Sequence, residues 1–182
     1  MLHSDLKSKQ VFNYLFEKSK KEGIPLDPMK AIKLVYFCHA WYMGYYSTPL
    51  IEEPVQAWKY GAVIPSLYHA LKIYGSGQIK YPILKNQESH YLDIFLNNDN
   101  AFKKEDFIST KSLTDNERQM IDTVWDNYKQ LDATQLSNLM HQKGTPWDTI
   151  WNNGQCGMGA TIPNTLIEKY YHDRIKAVHS ER

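Results

Sequence analysis

KAIKLVYFCHAWYMGYYSTPLIEEPVQAWKYGAVIPSLYHALKIYG, residues 30–75, is the stretch whose reading decides the fold. Just ahead of it Asp27 is placed to cap a helix, and Pro28 suits the first helical position, where its missing N–H costs nothing. Met29, Ile32, Val35, Tyr36, His39, Ala40 and Met43 then recur at helical spacing, while Leu34, Phe37, Cys38, Trp41 and Tyr42 fill the other faces. A helix apolar nearly all round belongs either at the centre of a domain or in a membrane. Its apolar run is only about 13 residues, short of the roughly 20 that a bilayer span needs, and Lys30 and Lys33 flank it. The reading is a central buried helix with Phe37 and Trp41 in the core.

Working outward, Gly44 and the Ser47-Thr48-Pro49 group are expected to end this helix. The alternation in Gln56-Ala57-Trp58-Lys59-Tyr60-Gly61 predicts one short strand, with residues 50–55 as its hairpin partner. A further helix starts with Pro65 at its first position or Ser66 as its cap, buries Leu67, Leu71 and Tyr74, and stops at Gly75. Upstream, Ser4 is placed to cap a helix with an apolar stripe of Leu6, Val11, Phe12, Leu15 and Phe16, which Gly23 terminates. Downstream, Thr114 with Glu117 forms a capping box ahead of the stripe Ile121, Val124, Trp125, Tyr128. Asp132 with Gln135 does the same for Leu136, Leu139 and Met140. A short helical turn follows from Thr145, then a loop with Gly154, Gly157 and Gly159, then a last helix burying Leu166, Ile167, Tyr170 and Tyr171. Residues 83–110 show no clear period. The expected fold is mainly α: residues 1–182 as a single helical domain around a buried central helix, with a small β-hairpin.

Lysine plus arginine number 21 against 20 aspartates and glutamates, a formal charge of +1, so there is no global field to draw in nucleic acid or a membrane surface. The 13 tyrosines and 5 tryptophans suit a core, a protein-binding surface, or both. Cys38 and Cys156 lie far apart with no C-x-x-C pair, and the N-terminus shows no signal-peptide pattern; a cytoplasmic protein with reduced thiols is expected.

Chemistry finds little support. Cys38 and His39 are neighbours on a helix, about 100 degrees apart around its axis, and cannot act as a nucleophile–base pair with each other. They read as a core thiol beside a hydrogen-bonded imidazole. His141, ahead of Pro146 and Trp147, reads as a side chain whose hydrogen bond holds that turn, with a general-base role as the rival. Glu52 and Glu53 diverge in any extended chain, so they do not form a shared acid–base site. Glu53 is expected either to pair with Lys33 or to accept backbone N–H bonds. No zinc spacing and no phosphate loop follow from the sequence, and no cofactor or metal is expected. Lys59 and Tyr60 are candidates for a protein interface, whereas Trp58 reads as packing on the central helix. Tyr91, Phe95 and Phe102, in the segment without period, are candidates for a partner-recognition surface.

Two blocks of the chain resemble the Panacea antitoxin domain family, which is found in prophages and toxin–antitoxin loci and includes the SocA-type antitoxins. The first comprises Lys33, Leu34, Tyr36, Phe37, Ala40, Trp41, Leu50, Glu53, Ala57, Trp58, Gly61, Val63, Pro65, Leu67 and Tyr68. The second comprises Leu113, Thr114, Glu117, Leu136, Ser137, His141, Pro146, Trp147, Ile162, Ile167, Tyr170 and Tyr171. Ala62 departs from the family, which usually has proline there. The resemblance implies a non-enzymatic antitoxin that neutralises a cognate toxin by direct binding, with delivery of the toxin to a ClpXP-type protease as a variant of that role. The alternative is a prophage-encoded regulator that binds nucleic acid. Lys33, Glu53, Trp58, Gly61, Pro65, His141, Pro146 and Trp147 are then expected to serve the fold.

Overall fold

The structure, a computed structural model, describes residues 7–152 and 159–180. The expected cap at Ser4, the stripe residue Leu6, and Gly154, Cys156 and Gly157 lie outside the described residues. Helix α2 (Pro28–Tyr46) is the axis. Asp27 caps it by accepting the Lys30 N–H at 2.9 Å, Pro28 occupies its first turn, and it is buried continuously from Lys30 to Ala40. Around it pack α1 (Lys7–Glu22), α3 (Pro65–Leu71), α5 (Asp115–Tyr128), α6 (Ala133–Met140) and, most extensively, α8 (Asn164–Ser180). Helix α4 (Tyr91–Phe95) and α7 (Pro146–Asn152) are short, and three strands form a small antiparallel sheet. The mainly α architecture with a small hairpin is the one expected. Among the described residues no helix is long and apolar enough to cross a membrane.

The local signals account for most boundaries. Both capping boxes form: Thr114 with Glu117 opens α5, and Asp132 with Gln135 opens α6. Pro65 takes the first turn of α3, and Gly75, with φ of 55°, ends the 3-10 turn that follows it. Lys30 reaches across from α2 to donate to the Lys129 carbonyl at 2.6 Å, satisfying an acceptor at the C-terminal end of α5.

Three expectations are corrected. Gly44 does not end α2, which runs on to Tyr46 and closes at Ser47 in the left-handed region. Gly44 is instead where α8 lies directly against α2: a Cβ there would lie 2.6 Å from Tyr171 Cβ and 2.8 Å from its carbonyl carbon. The stretch 56–61 is not one strand but two, β1 (Gln56–Trp58) and β2 (Gly61–Val63), joined by a tight turn at Lys59 and Tyr60. Residues 50–55 form no strand; β1 pairs on its other edge with β3 (Ala160–Thr161), which arrives from the far end of the chain. Finally, Phe37 is buried but Trp41 is only half so, because the last turns of α2 emerge from between α5 and α8, leaving Tyr45 61% exposed. Trp41 and Tyr128, hydrogen-bonded at 3.0 Å, line an open groove of about 430 Å³ there with Tyr45, Met120, Val124 and Ile175.

Candidate functional site

The tip of the β1–β2 hairpin is built from below. Lys33 on α2 is 2% exposed, and its ammonium donates to the Tyr60 carbonyl. Ser137 on α6 donates to the same carbonyl at 2.7 Å. Gly61, with φ of 116°, is required twice: the backbone angle disfavours any side chain, and a Cβ would meet the Lys33 ammonium at 2.7 Å. Burial pushes Lys33 down to about 8, with Asp27 opposing. Trp147 on α7 donates to the Trp58 carbonyl at 2.8 Å, so the incoming strand β1 is tied as well. The result is a turn held rigidly by α2, α6 and α7. It presents Lys59 and Tyr60 to solvent, Tyr60 60% exposed and the Lys59 ammonium 5.3 Å from its ring. Trp58, expected on the central helix, sets its ring edge-on to Tyr68 of α3 at 5.0 Å and donates to Gln56 at 2.9 Å.

Glu53 and Lys33 form no ion pair. Glu53 is 5% exposed and accepts from the Ser8 hydroxyl and, at 3.2 Å, from that of Ser66, bridging α1 to the start of α3. Its second oxygen, Oε2, is buried without a partner, and burial raises its carboxyl above the ordinary range. The adjacent pair on α2 behaves as read. Burial raises the Cys38 thiol, and His39 is wholly buried with its imidazole pushed down to about 4. Neutral His39 accepts the Ile51 N–H at Nδ1 (3.3 Å), and its Nε2–H faces Asn164 Oδ1 at 3.2 Å. It thereby pins the chain after α2 to the start of α8.

His141 contributes its ring, not the expected hydrogen bond. It lies against Trp147 with centroids 3.9 Å apart and ring planes tilted by 31°, while its Nε2 is buried without a partner. Burial, aided by the Lys33 charge, lowers its pKa. The turn into α7 is held by Thr145, whose hydroxyl donates to the Met140 carbonyl at 2.5 Å and accepts the Asp148 N–H at 3.2 Å. Asp148 in turn accepts the Gly144 N–H at 2.8 Å, and Pro146 fills the first turn of α7. Among the described residues no group of His, Cys, Asp or Glu is arranged to hold a metal ion.

Residues 84–107 form a closed excursion. Leu84 and Phe107 pair as an antiparallel bridge, and Ile108 N donates to the Ile83 carbonyl at 3.0 Å. Asn13, 1% exposed on α1, joins both ends of the stem. Its amide donates to the carbonyls of Ile83 (3.1 Å) and Ile108 (2.9 Å), and its oxygen accepts the Ile83 N–H at 2.7 Å. Within the excursion Ile94 is buried, but Leu92 is 68%, Phe95 73% and Leu96 62% exposed, with Tyr91 at 37%. Phe102, expected alongside them, is half-buried in a cluster with Tyr81, His90 and Phe107. The exposed set is therefore Tyr91, Leu92, Phe95 and Leu96. Asn13 escaped the sequence reading because one polar residue within an apolar stripe carries no signal of a partner so distant in the chain.

A clamped hairpin tip and a stapled excursion with bare apolar side chains define a class before any comparison: a helical scaffold that holds two exposed segments in place. The chain belongs to the antitoxin SocA-like, Panacea domain family, whose model matches residues 32–148. It is similar to Antitoxin SocA of Caulobacter vibrioides (strain NA1000 / CB15N), at 25% identity over 169 residues, covering 93% of this chain and 82% of that protein. No solved structure matches it. The family role is that of an antitoxin, and such a role implies a toxin as partner.

Proposed function

We propose that the protein, acting as a single domain in the cytoplasm, neutralises a cognate toxin by binding it directly and turns over no substrate. The observation that carries this reading is the excursion. A segment closed by a backbone bridge and stapled by Asn13 holds Leu92, Phe95 and Leu96 in water, where their exposure gains nothing for the fold. Apolar side chains displayed on a rigid frame are what a protein partner covers, and they vary without disturbing the core beneath. Tyr91 and Phe95 belong to this surface, and Lys59 with Tyr60 at the hairpin tip to a second one. Lys33, Glu53, Trp58, Gly61, Pro65, Trp147 and His141 serve as the frame. The buried, neutral state of His39 and the raised thiol of Cys38 support binding over chemistry.

Co-expression with a toxin encoded beside its gene tests this. The wild-type protein and a folded His141→Ala variant are both expected to restore growth, whereas Leu92→Glu/Phe95→Glu, which alters only exposed side chains, is expected to lose rescue and co-purification. A folded His141→Ala protein that fails to rescue would point to chemistry at that imidazole. Full rescue by the excursion variant would place toxin contact elsewhere. Toxin that persists in the complex marks sequestration, and toxin that disappears marks delivery to a ClpXP-type protease. Strongly salt-dependent binding of DNA in place of toxin would favour the regulator.

A further inference from the structure

We infer that the exposed face made by α3 and the hairpin tip is a docking surface for an acidic, extended segment of the partner protein. This rests on the neutralisation reading and adds to it the chemistry of what is bound. From Pro54 to Gln87 the chain has no aspartate or glutamate, yet carries Lys59, Lys72, Lys80, Lys85 and His69, although acids and bases balance over the whole chain. The structure folds the first part of that stretch into one surface. Lys59 and Tyr60 stand at the clamped turn, and Trp58 links it to Tyr68. Tyr68 and His69 continue it along exposed positions of α3, their rings 5.5 Å apart, with Lys72 one turn beyond Tyr68.

Elsewhere Lys7 with Glu117, Lys18 with Asp122 and Lys129 with Glu22 form ion pairs of 2.6–2.8 Å. Among the described residues neither Lys59 nor Lys72 is in such a pair. Of the carboxylates beside this face, Glu53 is turned inward on Ser8 and Ser66 and Asp148 accepts the Gly144 N–H, while the exposed Glu52 and Glu88 lie just outside the acid-free stretch. Unpaired cations interleaved with exposed tyrosines match a chain bearing carboxylates and apolar side chains. The rigid turn lowers the entropy lost on docking. A nucleic-acid backbone fits less well, because the chain as a whole is near neutral and this face holds no arginine.

The test is an amide chemical-shift titration of the full chain with a synthetic (Glu-Leu)5 peptide, using (Lys-Leu)5 and a ten-residue oligothymidine as controls. Shifts are expected at residues 58–61 and 67–73 with the acidic peptide only. Lys59→Glu/Lys72→Glu changes two exposed side chains and is expected to weaken binding at least about tenfold, the loss of roughly 1.4 kcal/mol. Shifts confined to other residues, undiminished binding by the double variant, or equal binding of oligothymidine would each overturn the inference. If Lys59→Glu/Lys72→Glu still restores growth beside the toxin while the excursion variant does not, this face is not used and neutralisation stands. If the wild-type protein fails to hold any toxin, neutralisation falls, and the peptide titration still decides what this face binds.

Discussion

Replacing Lys33 by methionine should remove a pH dependence that the buried ammonium imposes on stability. Methionine is unbranched and of similar length, so it fills the same channel beneath Gly61 and Met140 without a charge. Unfolded, the lysine titrates at its ordinary 10.5; folded, burial lowers it to about 8. Between those values the unfolded chain holds a proton that the folded one has released, so stability rises with pH across the window. Below pH 8 both states are protonated and the folded state bears the whole cost of burying the charge. At 1.36 kcal/mol per pH unit the interval corresponds to about 3 kcal/mol. Lys30 and Cys38 also shift, but both are present in the two proteins and cancel in the difference. Urea unfolding of wild type and Lys33→Met at intervals from pH 7 to 10.5 measures that difference directly. It should move by about 3 kcal/mol in favour of the wild type as pH rises. Parallel curves would mean that the Lys33 ammonium reaches water, and the account of the clamped hairpin would be wrong.

Gly44→Ala places a methyl group into the backbone of Tyr171 and should force α8 off α2, costing about 2–3 kcal/mol by thermal or urea unfolding. Asn13→Ala strands the backbone groups of Ile83 and Ile108, at a cost of about 2–3 kcal/mol; amide exchange should speed at Ile83 and Ile108 while α2 stays protected. His39, ordinarily at 6.5 and folded at about 4, makes the folded state bind fewer protons in that interval, so stability should fall as pH drops from 6.5 toward 4. His39→Gln should flatten that acid limb. Trp125, fully buried and donating to Glu22 at 2.9 Å, should cost about 3–5 kcal/mol as alanine, whereas Tyr60→Ala at the exposed tip should leave the melting temperature nearly unchanged.

Local chemistry was enough to read most of the helices from the chain alone. Asp27-Pro28, Thr114 with Glu117 and Asp132 with Gln135 act within a turn of themselves, so their effect needs no knowledge of the rest of the fold. The all-round apolar run 34–40 likewise identifies the core helix, because water excludes it from any other place. What tertiary structure alone decided lies where a residue answers to a partner far along the chain. The turn at Lys59 and Tyr60 has no Asn-Gly or Asp-Gly at its centre; Gly61 supplies the positive φ that follows it, and Lys33 and Ser137, gripping one carbonyl from two helices, hold it. Gly44 looks like a helix stop until α8 is seen lying on it. The second neighbour of β1 comes from residues 160–161, a pairing that alternation cannot locate. The excursion over residues 84–107 has no period because it is organised by Asn13 and a single bridge at its stem, not by a repeating buried face. Those long-range contacts, each too short in sequence to leave a pattern, are the ones that build the hairpin tip and the excursion.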